Sequence, residues 1–120
     1  MWVAHFDGDD VGPGLELLLL DERIDEARAY SRKVLRAMEN LTRSVSEWPG
    51  ADVVVSGGDD LIVCWEKEPD ARWIELLRQS FEQDCERTLS VGVGKSTKGA
   101  TESLRRAKLQ GKNNLVMRED

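Results

Sequence analysis

Long apolar runs, cysteine and histidine are all scarce in this sequence of 120 residues. The longest apolar run covers only residues 61–65, far short of the roughly 20 residues that a membrane-spanning helix needs. The first residues contain no basic stretch and reach an acidic side chain at Asp7, so we expect neither a signal peptide nor a membrane anchor. These absences predict a cytoplasmic protein.

The two cysteines and the single histidine do not form a recognisable metal motif. Cys64 and Cys85 lack the CxxC spacing, and we expect buried free thiols rather than a disulfide or a metal site. His5 precedes Asp7 by two residues, so the two side chains should point to the same face of a strand. We interpret His5 as a partly buried structural residue, with a catalytic base as the alternative.

Charge is unevenly distributed along the chain. The net charge of −6 argues against a protein that binds nucleic acid stably, and the four tryptophans are too scattered for a base-stacking surface. Residues 95–118 nevertheless contain seven basic side chains against Glu102 alone, a charge of +6, which leaves −12 for the rest. An acidic body of this kind requires metal ions to hold a triphosphate.

The hydrophobic pattern predicts a single α+β domain over residues 1–120. The order is β-α-β-β-α-β followed by α-β, which is typical of a ferredoxin-like sheet with an appended unit. We expect the helices on one face of the sheet and the other face free. The predicted strands are 2–7, 51–56, 61–65, 89–93 and 115–117, and the predicted helices are 15–20, 21–47, 69–85 and 99–110.

Carboxylates from two distant segments are expected to meet at one edge of this sheet. Asp7 ends the first strand, and Asp59 and Asp60 lie in the turn of the hairpin. No lysine or arginine occurs in residues 1–14 or 51–66, so converging carboxylates would repel unless a divalent cation intervened. Oxygen ligands favour Mg²⁺ or Mn²⁺, and two such ions about 4 Å apart support phosphoryl transfer. The alternative is that these residues are exposed turn residues.

Glycines beside these carboxylates predict close approach by a nucleotide. Gly57 and Gly58 allow a tight turn and let a ribose approach the backbone. The turn at residues 8–12 exposes backbone amides just before a helix, which is a favourable phosphate site.

Three sequence blocks carry a family resemblance. FDGDDVG, SGGDDLIV and SVGVG…LRRAKLQGKNNLV, in this order, resemble the palm domain of GGDEF cyclases and CRISPR polymerases, and the minimal CRISPR polymerases (mCpol) most of all. The resemblance covers nearly the whole chain. It implies a site in which two Mg²⁺ (or Mn²⁺) ions and a triphosphate are bound. The implied metal ligands are Asp7, the Gly8 carbonyl, Asp59 and Asp60; the implied phosphate contacts are Lys108, Lys112 and the amides of Asp10, Val11 and Gly12.

The resemblance also implies an activity and an assembly. Such palms join ATP or GTP into cyclic nucleotides as two facing subunits, so we expect a homodimer with a role in bacterial antiviral defence. The region after Gly12 lacks the asparagine and aspartate by which GGDEF enzymes read guanine, which favours ATP and a cyclic di- or oligonucleotide product. Ser31 is predicted to contact adenine, with a small helix-packing serine as the alternative.

Two other functions are compatible with the same residues. The chain could be a catalytically silent palm that senses nucleotides, or a subunit of a CRISPR effector complex.

Overall fold

The computed structural model describes residues 1–119, which form five strands and four helices. In chain order these are β1 (Trp2–Gly8), α1 (Val11–Leu20), α2 (Ile24–Ser46), β2 (Asp52–Ser56), β3 (Asp60–Trp65), α3 (Ala71–Cys85), β4 (Leu89–Gly94), α4 (Thr97–Leu109) and β5 (Leu115–Met117).

The five strands form one mixed sheet in the order β2-β3-β1-β4-β5. Strand β1 lies at the centre, antiparallel to both β3 and β4, while β4 and β5 are parallel. Strands β1 to β4 therefore have the ferredoxin-like arrangement, and β5 adds one strand at the edge beside β4. The predicted α+β fold class is confirmed.

Alternating residues of the central strand separate the two faces of the sheet. Trp2, Ala4 and Phe6 join a core that also contains residues of α2 and α3, as the two-residue period of a strand requires. The buried core residues are Trp2, Ala4, Phe6, Val34, Ala37, Met38, Leu41, Val45, Leu61, Val63, Trp65, Ile74, Leu77, Phe81, Cys85, Leu89, Val91 and Val93. The two helices of the βαββαβ unit thus lie on one face, as expected.

The appended helix α4 lies on the opposite face, where the sequence had led us to expect an open surface. Its buried side is made of small residues and Leu104, and it packs on β1 and β4. Close packing depends on Gly92 and Gly94, because a Cβ at either position would overlap the backbone of α4. Within residues 1–119, α4 packs on β1, β4 and β5, so the β2–β3 half of this face is the less covered one.

Helix α1 begins four residues earlier than predicted. Asp10 adopts a left-handed conformation with φ of 56° and turns the chain into the helix, and Pro13 is tolerated because it lies in the first turn. Every residue of α1, all within the described range, is exposed or half-buried. The helix is held at its start, where the Tyr30 hydroxyl donates to the Val11 carbonyl at 2.8 Å.

Two further sequence predictions concern the cysteines and the membrane. Both cysteines are free, as predicted; Cys85 is buried, whereas Cys64 is only half-buried, and burial raises the pKa of both thiols. No helix within residues 1–119 is long and apolar enough to cross a bilayer.

Three of the four tryptophans come together at one end of the sheet. Trp48 stacks on Trp73 with ring centroids 4.3 Å apart, and Trp65 meets Trp73 edge-on at 5.9 Å. Trp65 lies opposite Trp2 in the β1–β3 register, so this cluster is at the opposite end of β1 from Asp7. These three tryptophans pack on one another, away from the acidic end of the strand.

Candidate active site

The strand register places two acidic residues opposite each other. Asp7 of β1 and Asp60 of β3 are directly paired, so their side chains lie on the same face of the sheet. The Gly8 amide donates to the Asp59 carbonyl at 2.9 Å, which ties the end of β1 to the hairpin turn. The structure thus brings together the two segments that the sequence predicted to meet.

Gly57 shapes the turn before Asp60. Its amide donates to the Asp60 carbonyl at 2.8 Å, and a Cβ at Gly57 would overlap the Asp60 carboxylate. A side chain at this position would have to displace the Asp60 carboxylate, whereas glycine leaves that carboxylate where it is. Gly58, next in the turn, has open space where a Cβ would stand, so an incoming molecule can approach its backbone.

Lys108, a residue of α4, reaches the end of β1 from the face of the sheet that α4 covers. The Lys108 ammonium lies 2.6 Å from Asp9 Oδ1, 3.0 Å from Asp7 Oδ2 and 3.2 Å from the Gly8 carbonyl oxygen. Burial is the largest single influence on its pKa and lowers it, but the hydrogen bonds to Asp9 and Asp7 and the charges of these carboxylates together raise the pKa above its usual value. Lys108 is therefore a fixed positive charge among these oxygens.

Burial has the larger effect on Asp7. It raises the pKa of this carboxyl, the hydrogen bond and charge of Lys108 lower it, and the nearby charge of Asp59 raises it again. The net pKa is above the usual range. The raised pKa therefore reflects chiefly the loss of water around this carboxyl, which Lys108 offsets only in part.

Asp9 is the residue that the sequence analysis missed. Its side chain is only 3% exposed and accepts four hydrogen bonds. The donors are the Thr88 hydroxyl at 2.7 Å, the Ser90 hydroxyl at 2.7 Å, the backbone N–H of Asn113 at 2.9 Å and the Lys108 ammonium at 2.6 Å. Burial raises the pKa of Asp9, but these donors together lower it below its usual value.

The predicted phosphate turn lies at the start of α1. The Gly14 amide makes the first helical bond, to the Asp10 carbonyl at 2.9 Å, and Pro13 has no N–H group. The amides of Val11 and Gly12 belong to the first turn, whose donors have no acceptor within the helix. A Cβ at Gly12 would meet only open space, so this turn is accessible to an anion.

Lys112 approaches the same turn from the α4–β5 loop. Its ammonium forms an ion pair with the Asp10 carboxylate. Lys112 and Asn113 both have left-handed backbones, with φ of 64° and 48°. Arg78 supports this conformation by donating to the Asn113 side-chain oxygen and carbonyl, each at 3.0 Å. The two predicted phosphate-binding lysines thus pair with two adjacent aspartates, Lys108 with Asp9 and Lys112 with Asp10.

His5 belongs to the same face of the sheet. Its Nε2 is 3.5 Å from Asp60 Oδ2, its Nδ1 is 3.2 Å from the Thr101 hydroxyl, and its side chain is 14% exposed. It is a partly buried residue that bridges β3 and α4, in keeping with the structural interpretation.

A cavity of about 590 Å³ opens beside the hairpin turn. It is lined by Leu35, Met38, Glu39, Thr42, Arg43, Ser46, Ser56, Gly57 and Gly58. Ser31 is exposed on α2, one turn before Leu35, and does not line this cavity. The structure therefore does not place Ser31 with the other site residues, and its contact with adenine stays a prediction.

The oxygens at the end of β1 supply part of the ligand set that a divalent cation needs. Within residues 1–119, no group of three or more His, Cys, Asp or Glu side chains is placed to hold a metal ion. The end of β1 offers the Asp7 carboxylate and the Gly8 carbonyl, with Asp60 opposite, and these oxygens already accept a cation in the form of Lys108. Mg²⁺ commonly uses one or two carboxylates and takes its other ligands from water and substrate phosphates. The residues fit an ion that is shared with a bound triphosphate.

Comparison with known families identifies the chain. Residues 3–118 match the model of the mCpol domain, the minimal CRISPR polymerase domain. The chain belongs to the mCpol family. The predicted resemblance is confirmed over almost the entire sequence. No curated protein matches the chain.

Solved structures similar to this mCpol chain are palm domains. The GGDEF domain of DgcB from Caulobacter crescentus, in complex with c-di-GMP, has 18% identity and a TM-score of 0.66, over 97% of this chain and 76% of that one. The GGDEF domain of TpbB (YfiN) from Pseudomonas aeruginosa has 14% identity and a TM-score of 0.63, over 98% and 76%.

A CRISPR protein has the same fold in part of a much longer chain. The Csm1–Csm4 cassette, in complex with pppApApA, has 21% identity and a TM-score of 0.61, over 95% of this chain and 20% of that one. At these identities the similarity shows the fold. The mCpol chain therefore shares its fold with GGDEF domains and with part of the Csm1–Csm4 cassette.

Proposed function

We propose that this chain is a divalent-metal-dependent nucleotidyltransferase that converts ATP into a cyclic di- or oligonucleotide. The observation that carries the proposal is the pairing of Asp7 with Asp60 across β1 and β3, with Lys108 and Lys112 beside the phosphate turn. Membership of a polymerase family and the palm fold support the same reaction class. Synthesis of a signal for bacterial antiviral defence, in the cytoplasm, is the corresponding biological role.

Binding of the triphosphate is assigned to the groups around the phosphate turn. The amides of Val11 and Gly12 would donate to phosphate oxygens, since helix N-termini favour anions. Lys108 and Lys112 would supply the positive charge that the acidic body of the chain lacks. The open backbone at Gly58 would accept the ribose, and the cavity between α2 and the hairpin turn is large enough for a base.

The carboxylates are assigned to the metal ions. Asp7, the Gly8 carbonyl and Asp60 would hold Mg²⁺ or Mn²⁺ together with Asp59 and the phosphates. Bound there, the ions would lower the pKa of an attacking ribose hydroxyl and neutralise the phosphates. The chain's own contribution is to align the triphosphate between the two lysines and the β1–β3 edge, which is catalysis by positioning and electrostatic complementarity.

A cyclic product requires a second attack, which we assign to a second copy of the chain. Each subunit would hold one triphosphate, and the ribose hydroxyl of each nucleotide would lose its proton, attack the α-phosphate of the other and displace pyrophosphate. The proposed assembly is a homodimer with facing sites.

The test is turnover of purified protein with each nucleoside triphosphate and Mg²⁺ or Mn²⁺. We expect ATP to yield pyrophosphate and a cyclic product, identified by mass spectrometry. Removing a residue that only supports a metal ligand typically costs about 10- to 100-fold in metal affinity or activity. Because Asp60 is assigned as a ligand itself, Asp60→Ala should lower the rate by more than about 100-fold. Asp52→Ala, an exposed carboxylate at the far end of the same hairpin, is the control and should leave the rate unchanged.

Two other outcomes would reject the proposal. Binding of ATP without release of pyrophosphate would assign a nucleotide-sensing role. Full activity in Asp60→Ala would remove the carboxylates from the mechanism.

A further inference from the structure

The Lys108 ammonium is surrounded by four oxygens at the end of β1. They are Asp9 Oδ1 at 2.6 Å, Asp7 Oδ2 at 3.0 Å, the Gly8 carbonyl at 3.2 Å and the Asp7 carbonyl at 3.5 Å. The Asp7 carboxylate and the Gly8 carbonyl are also the oxygens assigned to a metal ion. The Lys108 ammonium thus already contacts the oxygens that a metal ion would need as ligands.

The ammonium and a divalent ion compete for these oxygens. Mg²⁺ binds oxygen ligands at about 2.1 Å and demands near-ideal geometry, whereas Lys108 already donates to the same carbonyl and carboxylate. Two cations on shared ligands repel each other, and partial burial of the site weakens the screening by water. An ion that arrives alone must therefore displace Lys108 or share ligands with it at a cost.

Asp9 determines how Lys108 can move. Its carboxylate is held by Thr88, Ser90 and the Asn113 amide as well as by Lys108. It therefore stays in place when the ammonium leaves Asp7 and Gly8. Lys108 can keep its shortest contact, to Asp9, and turn its remaining donors towards phosphate oxygens at the adjacent turn. A triphosphate thus offers Lys108 new acceptors at the moment that a metal ion takes the old ones.

We propose that Lys108 is an internal counter-cation that holds Asp7 and the Gly8 carbonyl in the ligand-free protein and makes the binding of metal and triphosphate mutually dependent. The divalent ion then binds weakly alone and tightly with nucleotide. Because such coupling is reciprocal, nucleotide also binds more tightly with metal. This inference rests on the proposed function, since it assigns an order of events to the same site.

The test measures metal binding directly, without turnover. Free Mn²⁺ is titrated by electron paramagnetic resonance against the full chain, with and without an α,β-methylene analogue of ATP. Lys108→Met keeps the length of the side chain and removes the charge. It should bind Mn²⁺ about 10-fold more tightly than the wild type in the absence of nucleotide, within the usual range of about 5- to 150-fold for coupled sites. The tightening caused by the analogue should shrink by the same factor.

A matched control separates this effect from a general loss of charge. Lys112→Met removes an equal charge from a lysine that pairs with Asp10 and not with the metal-binding oxygens. It should leave Mn²⁺ affinity without nucleotide within about twofold of the wild type, well below the coupling range. Lys108→Gln serves as a second variant if Lys108→Met does not fold.

The outcomes distinguish this inference from the function on which it rests. If the Lys108 variants bind Mn²⁺ without nucleotide no more tightly than the wild type, or only as tightly as Lys112→Met, the inference is overturned while wild-type turnover of ATP still supports the function. If the wild type binds no Mn²⁺ even with the analogue and releases no pyrophosphate, both are wrong.

Discussion

Two adjacent aspartates each pair with a lysine, one pair in a buried environment and the other in an exposed one. Asp9 is 3% exposed and pairs with Lys108, whereas Asp10 is 49% exposed and pairs with Lys112. Removing one partner of a buried pair leaves an uncompensated charge, while exposed pairs contribute little because water and salt screen them. The Asp9 side chain should therefore contribute much more to stability than the adjacent Asp10 side chain.

The first prediction compares alanine substitutions at these two positions. Asp9→Ala should lower the free energy of unfolding by about 3 kcal/mol, because Lys108 loses its main partner and the donors of Thr88 and Ser90 lose theirs. Asp10→Ala should cost less than about 1 kcal/mol. Urea denaturation of both variants and the wild type provides the measurement, with equal m-values as the check that one transition is being compared. Equal losses for the two variants would contradict this account of burial.

The second prediction concerns the dependence of stability on pH. The pKa of Asp9 is lowered from its ordinary value of 3.8, so the stabilisation from its ionised form is complete above about that pH and disappears as the pH falls further. The pKa of Asp7 is raised from the same value. Its contribution has the opposite sign, since it is present at low pH and is lost as the pH rises through the raised pKa.

Substitution by asparagine separates the two contributions. Unfolding followed between pH 2 and pH 7, a range of about five units around the ordinary carboxyl pKa, should show a smaller loss of stability in acid for Asp9→Asn than for the wild type. Asp7→Asn should instead show a larger one. Parallel curves for all three proteins would mean that neither carboxyl has a shifted pKa.

Residues of the site differ in how far the sequence could predict them. Asp7 and Asp60 were predictable because a strand end and a hairpin turn are neighbours in any βαββ arrangement. Asp9 looked like one more acidic turn residue, since its partners lie 79 to 104 positions away in sequence. Lys108 was implied by family resemblance, but its contact with Asp7 was not, because the sequence does not indicate which face of the sheet α4 covers.

At the scale of elements, the position of α4 depends on two glycines of β4. All six residues of this strand are buried, so its pattern shows no alternation and gives no sign of which helix lies on which face. The buried side of α4 includes Ala100, Leu104 and Ala107, whose spacing of three and four residues is typical of one helix face. Its choice of face follows from the space at Gly92 and Gly94, which is visible only once the strands are paired.

The third prediction is that Gly92→Ala separates α4 from the sheet. A Cβ at Gly92 would overlap the Ala100 carbonyl and the Leu104 backbone, and backbone cannot move aside as a flexible side chain can. Overpacking of this kind costs about 1–3 kcal/mol, and we expect the upper end of that range in thermal or urea unfolding.

A glycine with open space around it provides the control for this substitution. Gly12→Ala, where a Cβ would meet nothing within 4 Å, should leave stability unchanged or raise it slightly, because alanine favours a helix. If Gly92→Ala were as stable as Gly12→Ala, the close contact between β4 and α4 would be wrong.

At the scale of the whole molecule, the basic and acidic parts of the chain meet at the site. The segment of charge +6, residues 95–118, includes α4 and β5 and brings Lys108 and Lys112 to a turn that contains Asp9 and Asp10. The charges of the chain alone already indicated that metal ions would be needed to bind a triphosphate.

The order of the strands in the sheet is also largely determined by the order of elements along the chain. Connections through helices leave few other ways to pair these strands.

The fourth prediction follows from the need for two attacks in a cyclic product. Each chain has one Asp7–Asp60 edge, so a reaction between two bound triphosphates requires two chains. The initial rate at saturating ATP and metal should therefore rise with the square of protein concentration at high dilution, and become proportional to concentration once the dimer predominates.

Sedimentation velocity over the same range should locate the change from monomer to dimer at the same concentration. Analogue binding per chain, measured in parallel, should stay constant, since each subunit holds its own nucleotide. A rate strictly proportional to concentration throughout, in a protein that sediments as a monomer, would show that one chain completes the reaction and that the second copy is not part of the site.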